Sequence, residues 1–303
     1  MTTCSARIVD AARPLHDLLR RSVAVALRDR VAGKDNAAKA AVIWDKPGER
    51  WFTPTDPIWR VHADASMFLA GIRALLLQSL HPLAMAGVAG HSGYKGDPWG
   101  RLQRTSTFLA TTTFGTIEDA EAIIERIRGI HEHVRGKTSD GRPYSANDPH
   151  LLKWVHVSET DSFLRAYQRY GGTALTSVEA DKYVEQSALV ATKMGVVDPP
   201  TTVAELDLAL EWYRPELEGT PAALEAARFL LLHPPLPLPA RPGYAALAGA
   251  AVALLPRWAR VPLQLPYLPL TEQAIAIPVG GIATAVIRWA LQHPHEPQIE
   301  SAG

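Results

Sequence analysis

Apolar residues recur along this chain mostly at three- and four-residue intervals, the period of a helix with one buried face. Residues 8–32 show it first, with Val9, Leu15, Leu18, Leu19, Val23, Leu27 and Val31 among several arginines. Trp44, Trp51, Phe52 and Trp59 then crowd a segment broken by Lys46-Pro47-Gly48, which reads as a loop folded onto the core. Asp56-Pro57 marks a helix start, and the pattern Ile58, Val61, Ala65, Phe68, Leu69, Ile72, Leu76, Leu80 predicts one long central helix ended or kinked at Pro82. Gly87, Gly90, Gly93 and Gly96 suggest a flexible connection. Asp97-Pro98 and Thr116 open two further amphipathic helices. Helices are also expected over residues 151–170, 177–194, 202–213 and 221–232, several closed by glycine.

No sustained period-two alternation is present, and Asp140-Gly141 lacks strand-like flanks on both sides. The pattern predicts an all-α fold, a multi-helix bundle of eight to ten helices. Prolines 234, 235, 237, 239 and 242 form a stiff punctuated segment. It separates a core domain, residues 1–232, from a C-terminal helical appendage, residues 233–303, of the same globular unit. The last ten residues read as disordered.

Composition narrows the function classes. The 303 residues are 47% hydrophobic and 20% charged, with 31 basic and 31 acidic side chains. That balance argues against nucleic acid as the partner, since phosphate binding calls for an excess of Lys and Arg. A single cysteine, Cys4, can form neither an internal disulfide nor a thiolate metal site. With charged residues interrupting the first twenty positions, this points to the cytoplasm. The longest apolar runs noted, Met67–Leu77 and Tyr244–Pro256, are short of the roughly 20 residues that span a bilayer. Membrane contact is at most peripheral on this reading.

Candidate chemistry concentrates between Asp97 and His156. Arg101 and Thr105 stand four apart, one above the other on a helix face. They could hold an anion or an oxygen species; the plainer explanation is a surface ion pair and a threonine bonded back to its own helix. His131 falls on the apolar stripe Ile117, Ala120, Ile124, Ile127, Val134, whereas His133 points about 200° away. A histidine in an apolar wall is either a satisfied core residue or a haem ligand. His156 begins another helix with Glu159, Asp161 and Ser162. His62, His81 and His91 flank the central helix, each able to line a cavity. The chain has no GxGxxG, Walker loop, GxSxG or HExxH, and no zinc-ligand spacing.

Five motifs occur in order. They are Gly100-Arg101-Leu102-Gln103-Arg104-Thr105; Thr113-Phe114-Gly115; Ile130-His131-Glu132-His133-Val134-Arg135-Gly136; Gly141-Arg142-Pro143-Tyr144-Ser145-Ala146-Asn147-Asp148-Pro149; and Trp154-Val155-His156. Together they resemble the family that groups the bacterial latex-clearing protein, a rubber oxygenase, with the fungal oxygenase MpaB, over about residues 55–260. The resemblance implies a b-type haem in a globin-like helical core. It implies His131 as the axial iron ligand and Arg101 and Thr105 as the distal pair, with Arg104 and His156 also at the cofactor. Arg104 replaces the lysine of the rubber oxygenase, and that enzyme's distal glutamate has no counterpart. Rubber cleavage itself is therefore poorly supported.

The reading is a haem b-dependent oxygenase or oxidase that takes dioxygen and an apolar small molecule. Two alternatives stay open. One is a haem carrier or sensor with a second histidine on the iron. The other is a cofactor-free helical binding protein.

Overall fold

The computed structural model describes residues 20–291, apart from 21, 22, 26, 28, 31, 32, 34 and 92–95. Most of the predicted helix over 8–32, Cys4 and the C-terminal tail lie outside the described residues. Within 20–30, residues 23–25 and 29–30 are helical.

Helix α1 (Asn36–Trp44) leads into the tryptophan-rich loop. Trp44 stacks on Phe114 at 4.6 Å and meets Trp59 edge-on at 5.6 Å, while Phe52 is buried in the core. Arg50 fixes the loop by donating to the carbonyls of Lys46 and Phe114.

The predicted long central helix is two, α2 (Pro57–His62) and α3 (Met67–Gln78). Asp64 makes the break. Its Oδ1 accepts from the Ser66 backbone N–H at 2.8 Å, a local turn that competes with helix. Both Asp64 oxygens also accept from Arg288, near the far end of the chain. The break expected at Pro82 is present: α3 stops at Gln78, and Pro82 opens α4 (Pro82–His91), bent 110° from α3, so Gly87 and Gly90 are helical rather than part of a loop. The described residues hold more helices than the sequence predicts, because of such splits.

Helices α5 (Pro98–Phe114) and α6 (Ile117–His131) form a hairpin joined by Gly115-Thr116. Asp97 caps α5 through the Gly100 N–H, and Thr116 caps α6 through that of Asp119. A small antiparallel ribbon follows, β1 (Arg135–Lys137) with β2 (Pro143–Ser145), in the register Gly136↔Tyr144. Sequence pattern did not predict it, because three-residue strands are too short to show alternation. Asp140 and Gly141, the latter at φ 88°, make its turn.

Next come α7 (Pro149–Tyr170), α8 (Ser177–Met194), α9 (Val203–Tyr213), a 3₁₀ turn at Arg214–Glu216, and α10 (Pro221–Leu232). Beyond the proline segment lie α11 (Arg241–Ala253), α12 (Arg257–Arg260) and α13 (Pro269–Leu291), which contains a π turn at Glu272–Ala276.

The core is built on α3 and α7, packed along one another, with α11 also against α3 and α8 against α7. Leu69, Leu76, Leu77, Trp154, Val157 and Tyr183 are fully enclosed. Each such leucine contributes about 1.5–3 kcal/mol. One ion pair crosses this interface. Arg73 meets Asp161 at 2.7 Å, both only 3% exposed. Arg73 also donates to Ser162 Oγ at 2.7 Å and to the Leu254 carbonyl at 3.1 Å.

Helix α13 crosses α11 where Gly280 faces Ala250. Among the described residues it is long and apolar enough to cross a membrane, with 22% of its most apolar stretch buried. It is longer than both apolar runs singled out from sequence, and Glu272, Gln273 and Arg288 are the polar positions that divide its pattern.

Candidate functional site

Helix α5 runs toward the Gly115-Thr116 turn and α6 runs back from it. Arg101 is thirteen residues before Phe114, and His131 fourteen after Ile117. With an equal rise per residue, the two reach the same end of the hairpin. His131 occupies the last position of α6, half-buried, and its Nδ1 is enclosed with no hydrogen-bond partner. Burial pushes its imidazole below the usual histidine range, so the ring is neutral. His133 is exposed, as its angle on the helix predicts, and its Nδ1 lies 3.0 Å from the Gly129 carbonyl.

Arg101 is half-buried and Thr105 exposed, one turn apart on α5. Arg104 is exposed and pairs with Asp97 at 3.4 Å. The end of α6 is followed by the ribbon, which packs on α4. Tyr144 Oη lies 3.3 Å from His91 Nε2, and a Cβ on Gly136 would stand 2.7 Å from that oxygen. Glycine at 136 lets the tyrosine lie flat across the ribbon.

A second group of polar side chains lies between α2, α5, α7 and α8. His156, on α7, has Nδ1 3.3 Å from Thr160 Oγ1, while Nε2 is enclosed without a partner. One helical turn on is Glu159. On α2, His62 has Nδ1 2.7 Å from Thr113 Oγ1 and Nε2 3.4 Å from the Tyr183 hydroxyl, with Phe163 edge-on at 5.5 Å.

Burial governs the charge of all three groups. It pushes His62 down to about 3 and, with Lys153 adding, His156 down to about 4. It raises the Glu159 carboxyl to about 7. All three are half-buried, flanked along their helices by fully buried neighbours such as Val61, Val157 and Thr160. The arrangement can hold neutral imidazoles as ligands or hydrogen-bond donors, and one carboxyl able to exchange a proton near neutrality.

A third cluster joins the bend before α4, the first turn of α7 and the 3₁₀ turn. His81, His150 and Glu216 each present one ligand-type atom, all within 4.8 Å of one another. His150 Nε2 is 2.8 Å from Glu216 Oε2. His81 Nε2 is 3.4 Å from the same oxygen but not aligned for a hydrogen bond. Burial keeps His81 neutral, with Glu216 opposing in part.

Residues 59–289 match the model of a family described as "ER-bound oxygenase mpaB/B'/Rubber oxygenase, catalytic domain". The chain belongs to this oxygenase family. It is accordingly an enzyme, an oxygenase with a small-molecule substrate. No curated protein and no solved structure matches it.

The mpaB/rubber oxygenase match reaches past the sequence motifs, through α11 and most of α13. Helix α11 packs on α3 and α13 on α11, and the family match extends beyond the proline segment to residue 289.

Two surface clefts, of about 280 and 440 Å³, are lined by none of the residues singled out for chemistry. The sequence offers His62 as a possible cavity residue and His81 as a cavity residue, a helix end or a second iron ligand. It gave no role to Glu159, His150 or Glu216. Glu159 was within reach, since it follows His156 by three and must share its face. The separations from 81 to 150 to 216 match no ligand motif, so only the fold brings those residues together.

Proposed function

We propose that this oxygenase binds haem b, with His131 as the proximal ligand and with Arg101, Arg104 and His156 also at the cofactor. The carrying observation is that His131, on a family motif, ends α6 as a neutral imidazole with an enclosed, unpartnered nitrogen. A metal-binding histidine needs the neutral form, and its second nitrogen normally takes an outer partner. A globin-like arrangement of the helices around the group belongs to the same proposal. Haem, when bound, supplies the activation of dioxygen.

The protein's own groups bind, orient and move protons. Arg101 places a permanent positive charge beside the α6 end, where it stabilises charge growing on oxygen. Thr105 adds a hydroxyl on the same face. Glu159, half-ionised near pH 7, holds or releases a proton beside His156 on α7. Phe163 and the surrounding apolar helices exclude water and favour an apolar substrate over a polar one. A cytoplasmic setting follows from the single cysteine and the balanced charge.

The test is His131→Ala. Its expected result is loss of haem, or a shifted Soret band with oxygen consumption reduced by at least a hundredfold. Unchanged spectra and full haem content would remove His131 as the ligand.

His156 favours a second reading, a haem carrier or sensor. Its Nδ1 is oriented by Thr160 and its Nε2 is enclosed without a partner, as in a second axial ligand. Carbon monoxide separates the two. Prompt binding to the reduced protein supports an open position and oxygenase chemistry. Binding only in His156→Ala supports the carrier.

A further inference from the structure

We propose that His81, His150 and Glu216 form a divalent transition-metal site, of the kind that holds Zn²⁺, separate from the candidate haem site. Two observations carry it. The first is the donor set itself: two imidazoles and a carboxylate whose ligand atoms converge within 4.8 Å. Tetrahedral zinc with bonds of about 2.0–2.2 Å needs its ligands roughly 3.3–3.5 Å apart. The 3.4 Å between His81 and Glu216 already fits. The 2.8 Å between His150 and Glu216 must open slightly, and both side chains are partly exposed and able to move.

The second is His81. It is 2% exposed, and both its ring nitrogens are enclosed with no hydrogen-bond partner. A buried imidazole left unbonded on both sides forgoes the compensation that buried polar groups normally find. A metal at the Nε2 side, next to Glu216, supplies a partner for that nitrogen.

The surroundings suit such a site. Tyr213 donates its hydroxyl to the His150 carbonyl at 2.8 Å and packs its ring 4.8 Å from that imidazole, fixing the ring's position. Trp154 and Tyr213 wall in His81. The partial exposure of His150 and Glu216 provides an entry path and leaves a fourth position for water. The site would clamp three segments: the bend between α3 and α4, the start of α7 and the turn after α9. The Glu218 N–H to Leu80 carbonyl bond, 2.8 Å, already draws the first and last together.

The full-length protein, stripped with a chelator, would be titrated with Zn²⁺ by calorimetry and with Co²⁺ by visible absorption. One Zn²⁺ per chain is expected at this site, with the visible bands of tetrahedral cobalt. His150→Ala and Glu216→Gln, chosen because both positions are partly exposed, should each weaken binding more than tenfold. His131→Ala and His156→Ala should retain it. Equal binding in wild type, His150→Ala and Glu216→Gln would overturn the proposal, as would no binding at tens of micromolar Zn²⁺.

Discussion

Asp161 lies in the core with its charge matched by Arg73 at 2.7 Å and by Arg165 at 3.1 Å. Removing the carboxylate leaves the Arg73 guanidinium buried without its counter-charge. Asp161→Ala should therefore cost about 3–5 kcal/mol, read as a lower midpoint in urea unfolding. Glu159 is the reverse case, a carboxyl held away from any cation. Its pKa in the fold, about 7 against an ordinary 4.5, means the folded protein binds a proton that the unfolded chain has released. The neutral acid's stability is whole below pH 4.5 and is lost as pH rises through 7. Glu159→Gln should thus raise the melting temperature relative to wild type at pH 8 and change little at pH 4.5. At about 1.4 kcal/mol per unit the ceiling is about 3 kcal/mol, reduced because the side chain keeps some contact with solvent. The same variant should flatten any inflection near pH 7 in the rate of oxygen consumption.

Helix ends were the most legible elements, because capping is local chemistry. Asp97 and Thr116 cap as their sequence positions suggest, whereas Asp56, also expected as a cap, precedes α2 without a side-chain cap bond; in the structure Thr176 with Glu179 completes a reciprocal box. Thr176→Ala should cost about 1 kcal/mol, visible in thermal unfolding. Breaks inside an apolar run were not legible. Nothing in the periodicity from Ile58 to Leu80 distinguishes one helix from two. The division falls where Asp64 bonds the Ser66 N–H locally and meets Arg288, 224 positions away, a contact no periodicity records. Packing between helices was equally hidden. At the α11–α13 crossing, a Cβ on Gly280 would stand 2.3 Å from that of Ala250. Gly280→Val should push the helices apart at about 1–3 kcal/mol, measurable as a loss of stability with helical content retained. The motifs were legible as a family signature, yet bringing His62 on α2 to the side of α7 that carries His156 and Glu159 needed two elements folded together.

At the scale of the molecule, α3 and α7 form the central packed pair, with His156 and Glu159 on α7 itself, while α5 and α6, which carry Arg101 and His131, pack on each other and on α2 and α8 respectively. Helix α13 presents Ile275, Val279, Ile282 and Val286 at four-three-four spacing on an exposed side, while Arg288 on its other side anchors Asp64. That outward stripe leaves only 22% of the helix's most apolar stretch buried. The central claim is that a neutral histidine at the end of α6 serves an oxygenase by holding haem. A pyridine haemochrome assay on the purified full-length protein, reconstituted with hemin, tests it most directly. About one b-type haem per chain, with a Soret band, is the predicted result. Absence of any haem after reconstitution would contradict it.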